Sequence, residues 1–136
     1  MTGKILGLLG IMRRASSLSM GEDRASEAVL DGKARLLLLP KDVSEKKRER
    51  AERYVEGRSC LVVELPISGT ELSGAVGTGG CTMASVNDLG FADALMKLLA
   101  ASDNDRYRAA ADEITAKLEK QKKRKVSKPG TVSGKK

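Results

Sequence analysis

The chain has no histidine and no tryptophan, and its aromatic side chains are one Phe and two Tyr among 136 residues. Without histidine, the Ser-His-Asp and Cys-His nucleophile arrangements and the Cys/His zinc sites are excluded together. So few rings also exclude base stacking on aromatic platforms as a main mode of nucleic-acid binding. The core must then be built from Leu, Val, Ile, Ala and Met. Two cysteines, Cys60 and Cys81, are too few for a disulfide framework. They read as reduced thiols, Cys60 being a small hydrophobe on a strand. No apolar run approaches the ~18 residues that a membrane helix needs. The opening MTGKILGLLGIMRR is briefly apolar, but lacks a charged region followed by a small-residue cleavage site. The expectation is a cytoplasmic protein with no membrane contact.

Nucleotide and acid–base signatures are missing too. GTGGCT lacks the Lys-Ser/Thr ending of a phosphate-binding loop, and carboxylates such as Asp42 and Asp88 show no pairing for acid–base work. The sequence therefore predicts no enzyme, no cofactor and no metal.

Charge is what the chain has in quantity. The formal net charge is +7, and it is unevenly placed. Residues 1–101 carry 14 Lys+Arg against 13 Asp+Glu, whereas residues 102–136 carry 11 against 5. A nearly neutral body thus carries a basic C-terminal extension, so net charge alone is weak evidence for a polyanionic partner.

Hydrophobic spacing orders the rest. Lys4 to Ala15 reads as a helix from Ile5, Leu8, Leu9 and Met12, with Arg13 and Arg14 at its C-terminal end. Ser16 to Met20 reads as a short link, an extended backbone being one reading of it. Glu22 to Leu30 is a second helix, opened by Gly21 and closed by Gly32. The leucine run within Ala34 to Leu39 suits a strand covered on both faces. Ser44 caps a charged third helix that ends near Gly57, and Ser59 to Leu65 is another buried strand. A short helix spans Ser68 to Val76, with Ser68 or Thr70 as its cap. A glycine loop follows over residues 78–82, then a strand from Met83 to Val86 and an amphipathic helix from Leu89 to Ala101. Strands separated by helices predict an α/β protein, a three-layer α/β/α sandwich around a small, largely parallel sheet, over residues 1–101. Residues 102–125 read as a basic helix in which Tyr107, Ala110, Ala111, Ile114 and Leu118 give a weak apolar face. Residues 126–136 have almost nothing to bury and read as a disordered basic tail.

The segments KILGLLGIMRRASSLSMGEDRASEAVLDGKARLLLLPKDVS, ELSGAVG and MASVNDLGFADALMK stand in an informative order and spacing over roughly residues 3–100. In that order they resemble the kink-turn-binding ribosomal protein family, whose members include archaeal L-seven-Ae and eukaryotic L-thirty-e. The likeness is greatest to small bacterial members of the YlxQ type. The resemblance implies an L-thirty-e-like fold and a non-enzymatic module for structured RNA, ribosomal RNA among the candidates. In that family the second helix enters the RNA groove by its N-terminus, within a Gly-Thr-Asn-Glu-x-x-Lys pattern. A loop before the last strand supports a flipped-out nucleotide.

Carried over by position, Gly21 matches the glycine, while Glu22, Asp23, Arg24 and Glu27 stand where the family has threonine, asparagine, glutamate and lysine. The loop Gly79, Gly80, Cys81 and Thr82 stands at the nucleotide-supporting position. Lysine donates to the guanine acceptors O6 and N7, whereas Glu27 offers only acceptors. Arg24 restores a bidentate donor from its own position, and Glu27 can accept from an exposed amino group. The site then reads the same RNA with its polarities exchanged. The plain alternative is an exposed Arg24–Glu27 ion pair, with Glu22 and Asp23 favouring the helix dipole. Arg14 and Lys33 flank the site, and Lys122, Lys123, Arg124 and Lys125 form a tail cluster able to contact phosphates. Two other functions stay open: a protein-interaction module on the same fold, and a nonspecific RNA binder driven by the tail.

Overall fold

The computed structural model describes residues 2–77 and 79–131, with side chains described through Lys123. The elements in order are α1 (Thr2–Arg14), β1 (Leu18–Met20), α2 (Glu22–Leu30), β2 (Leu36–Leu39), α3 (Glu45–Val55), β3 (Leu61–Glu64), α4 (Gly69–Val76), β4 (Ala84–Val86), α5 (Leu89–Ser102) and α6 (Asn104–Thr131). Local chemistry sets most of these boundaries. The Ser44 hydroxyl accepts from the Lys47 N–H at 3.2 Å and starts α3. At α4, Ser68 Oγ accepts from the Glu71 N–H at 3.1 Å, and Glu71 Oε1 accepts from the Ser68 N–H at 2.9 Å. That reciprocal box makes Ser68, rather than Thr70, the cap. Asp88 starts α5 by accepting from the Phe91 N–H at 2.9 Å.

The α/β sandwich is as expected, but the sheet is mixed rather than largely parallel. Its order is β1-β4-β2-β3. Only β2 and β3 run parallel; β4 lies antiparallel to both β1 and β2. The segment read as a link, Ser16 to Met20, supplies β1, which pairs Leu18 with Val86 and Met20 with Ala84. Three residues are too short to display a strand period, so the sequence pointed to no more than an extended link here. The parallel expectation rested on strands separated by helices. Instead the last strand returns between the first two.

The leucine run of β2 organises the layers. All four leucines are fully buried, and alternation sends them to opposite faces. Leu36 and Leu38 join a cluster with Ile5, Leu9, Leu72, Val76, Leu95 and Leu99 from α1, α4 and α5. Leu37 and Leu39 face a smaller cluster with Ala25, Ala28 and Val29 of α2 and Ala51 of α3. Helices α2 and α3 therefore form one outer layer, and it is this layer that carries the candidate interface.

No break in the core falls at residue 101. Tyr107, Ala111 and Ile114 are buried in the larger cluster, and Ala110 and Leu118 pack against it. The face expected to be weak is part of the main core. Polar contacts fix α6 as well: Tyr107 donates its hydroxyl to the Glu64 carbonyl at 2.6 Å, and Thr115 donates to Asp93 Oδ1 at 2.6 Å. Glu64 also pairs with Arg48 and Arg106. The boundary drawn between residues 125 and 126 lies beyond the described side chains, and residues 132–136 lie outside the described residues.

Candidate nucleic-acid interface

Gly21 stands at the turn between β1 and α2 with φ 91° and ψ 154°, a conformation that strains any residue with a Cβ. No side chain caps α2, so its first turn is left open. The Gly21 N–H donates to the Met83 carbonyl at 2.8 Å. That bond ties the start of α2 to the end of the glycine loop. Sequence position separates the two expected halves of the site, and the backbone joins them.

Glu22 does not face outward from this junction. It accepts from Arg50 Nε at 2.6 Å and Nη2 at 2.8 Å, and from the Tyr54 hydroxyl at 2.6 Å. The bonds from Arg50, then Tyr54, hold its carboxyl down at about 2. Glu22 is thus a clamp between α2 and α3, with its charge met within the protein. Because the folded carboxyl is more acidic than its ordinary value of 4.5, protonation favours the unfolded chain. The clamp contributes fully above pH 4.5 and loses its contribution as pH falls through about 2. Glu22→Gln is expected to lower the thermal midpoint at pH 7 by about 2–4 °C, a modest effect because both side chains are partly solvated. In melts run from pH 7 down to pH 2, the gap to the parent chain should close. A gap that stays constant would separate it from this ionisation.

Asp23, Arg24 and Glu27 are exposed on α2. Arg24 and Glu27 form no ion pair and no side-chain hydrogen bond among the described residues, so the plain ion-pair alternative is not what the structure shows. Instead they line one side of an open cleft of about 610 Å³, with Ser19, Lys33, Arg35 and Asn87 around it. Ser19 and Asn87 are held by a polar chain: Ser85 Oγ donates to Asn87 Oδ1 at 2.9 Å, and Asn87 Nδ2 donates to Ser19 Oγ at 2.9 Å. The cleft offers hydrogen-bonded amide and hydroxyl groups between cations and carboxylates, a mixture suited to base edges and phosphates.

The loop has two kinds of residue. Gly79 and Gly80 are exposed, and Gly80 has φ 71°. Cys81 turns inward: its side chain is 2 % exposed, its N–H donates to Ser73 Oγ at 2.8 Å and its thiol to the Met83 carbonyl at 3.4 Å. Its carbonyl also accepts from Ser73 Oγ at 3.3 Å, so Cys81 holds the loop against α4 rather than offering groups to a ligand. Thr82 Oγ1 accepts from Lys47 Nζ at 2.5 Å. Residue 78 lies outside the described residues. Beside this loop a second cleft, of about 510 Å³, opens between the first turns of α3 and α4, with Lys47, Gly80 and Thr82 in its wall.

Other expected residues are elsewhere. Arg14 is exposed on α1 and lines neither cleft. Lys122 and Lys123 are exposed on α6, while the side chains of Arg124 and Lys125 lie outside the described residues. Sequence reasoning missed Lys47, Arg50 and Arg35. The first two sit in a charge-alternating helix that reads as solvated, and only tertiary contact shows that Lys47 reaches the loop and Arg50 reaches α2. Both cysteines are free and buried, and burial pushes the Cys60 thiol up to about 11. Among the described residues no cluster of acidic or sulfur ligands is placed to hold a metal ion, and no helix is long and apolar enough to cross a membrane.

No family profile and no curated protein sequence matches the chain. Solved structures do. A Bacillus halodurans protein of unknown function is 27 % identical, with a TM-score of 0.64 over 70 % of this chain and 95 % of that one. A Giardia lamblia 15.5 kD RNA-binding protein is 21 % identical, with a TM-score of 0.54 over 74 % and 82 % of the two chains. The fold is shared with both.

Proposed function

We propose that this chain is a non-enzymatic RNA-binding protein that takes structured, kink-turn-like RNA against the start of α2 and the loop over residues 79–82. The carrying observation is the Gly21 N–H bond to the Met83 carbonyl, which holds an open helix start beside an exposed glycine loop. Supporting it, Glu22 is neutralised by Arg50, and the exposed Arg24, Lys33 and half-buried Arg35 present cations beside the cleft. The Giardia structural neighbour binds RNA, and the sequence resemblance carries the kink-turn expectation. Recognition on such a surface works by shape, backbone contacts and a few base edges.

The test is a titration of isotope-labelled full-length chain with a kink-turn RNA, followed by backbone amide shifts. Gly21, Asp23, Gly79 and Gly80 are expected to move together, saturably. Shifts confined to the residues after Gln121 would assign binding to the basic extension and reject this interface.

A further inference from the structure

We infer that the RNA-contacting surface continues from the α2 cleft across Arg35 onto α6, where Arg35, Lys117 and Lys120 take the phosphate backbone of a duplex stem flanking the bend. This rests on the RNA-binding reading above. A third cleft, of about 310 Å³, opens between the start of β2, the start of α5 and α6. Its charged lining is Arg35, Lys117 and Lys120, with no carboxylate. Arg35 also lines the α2 cleft, so the two clefts share that side chain and form one tract.

Local contacts make the tract more than scattered surface charge. Lys117 donates from Nζ to the Ser59 carbonyl at 2.5 Å, and its side chain is only 24 % exposed. Much of its rotamer freedom is already lost before a partner arrives. Arg35 and Lys117 both act on the Cys60 thiol, which places their charges around the same end of β3. Lys120 makes no ion pair or hydrogen bond among the described residues. Of the acidic neighbours, half-exposed Glu113 pairs with Lys117 at 3.4 Å, a surface ion pair that a phosphate displaces at small cost, and Asp88 is turned onto the Phe91 N–H. Glu27 and Asp31 belong to the α2 cleft. The only large apolar lining residue is the buried Leu89, so there is no anchor pocket for a protein side chain. Clustered cations with little apolar surface fit a polyanion, held through counterion release.

The test uses the full chain and two RNAs, a bent RNA with a flanking stem of about 10 base pairs and the same RNA trimmed of that stem. Affinities are measured across a salt series spanning roughly 50–200 mM. K117Q/K120Q is expected to weaken binding of the long-stem RNA about tenfold at low salt, and to lower the salt slope by about 1.8 for two lost phosphate contacts. Binding of the trimmed RNA should be unchanged. Because Lys117 also holds Ser59, K120Q alone provides a variant without that structural bond, with an expected slope change of about 0.9. R108Q removes a charge from the same helix outside the cleft and should leave both RNAs unaffected. If the parent chain binds both RNAs but all variants keep its slope on both, the α6 tract is overturned and the α2 interface stands. If the parent chain binds neither RNA, both fall.

Discussion

Ile114→Ala is expected to lower the unfolding free energy by about 2–5 kcal/mol, the range for emptying a fully buried aliphatic site. Ile114 is 0 % exposed and packs in the larger core cluster with residues of α1, α4 and α5. The loss combines the transfer of three carbons back to water with a cavity that neighbouring β-sheet and helices cannot fully close. For a chain of this size, whose total stability falls near 5–15 kcal/mol as a rough class value, that is a large fraction. Exposed Arg108, on the same helix, gives the comparison: Arg108→Ala should stay within about 0.5 kcal/mol. Urea unfolding of the two variants decides it. A loss below about 0.5 kcal/mol at Ile114 would mean α6 is an appendage, and that residues 1–101 fold without it. The expected result has a practical consequence. Cutting the chain near residue 102 removes core, so tail effects on RNA binding should be measured by charge substitution in the full chain.

Arg24→Ala should weaken binding of a kink-turn RNA by about 5- to 150-fold, corresponding to the 1–3 kcal/mol of a bidentate guanine contact. Arg24 lies in the first turn of α2, exposed, without a partner among the described residues, and on the rim of the α2 cleft. Its donors are therefore available to a ligand, and their removal leaves no buried group unsatisfied. The melting temperature should accordingly hold, which separates a binding effect from a folding one. Binding of a plain duplex should fall by less than about threefold, since only one phosphate-range charge is lost. Equal losses on both RNAs would reduce Arg24 to a phosphate contact. Unchanged affinity for the kink-turn would remove it from the interface.

What the sequence could reveal followed from the range of the interaction. Helix α2 was legible to the residue, because Gly21 and Gly32 punctuate a clear helical pattern. The four leucines of β2 announced a strand buried on both faces, and Leu36/Leu38 and Leu37/Leu39 divide between the two clusters as that reading requires. β1 was not legible, since its identity comes from pairing with β4 rather than from its own three residues. Helix α6 was legible as a helix with Tyr107, Ala110, Ala111, Ile114 and Leu118 on one face, but not as part of the core. They become core only because the sheet and α5 present a matching surface.

At the site, single-residue chemistry was readable and pairings were not. Glu22 looked like a helix-dipole residue, and nothing local indicated that Arg50, 28 positions later, would take both its oxygens. Cys81 looked like part of an exposed loop, yet Ser73 and Met83 draw it inward. Lys47 reaches Thr82 from a helix whose sequence reads as solvated. Such contacts join elements far apart in sequence, which local spacing does not encode.

The most direct measurement is a competition between a kink-turn RNA and a matched duplex with its G·A pairs replaced, using the full-length chain at a low and a moderate salt concentration. The account predicts that the chain prefers the kink-turn at both, with the preference retained as nonspecific binding weakens. Equal affinity for the two RNAs, falling together and steeply with salt, would contradict it.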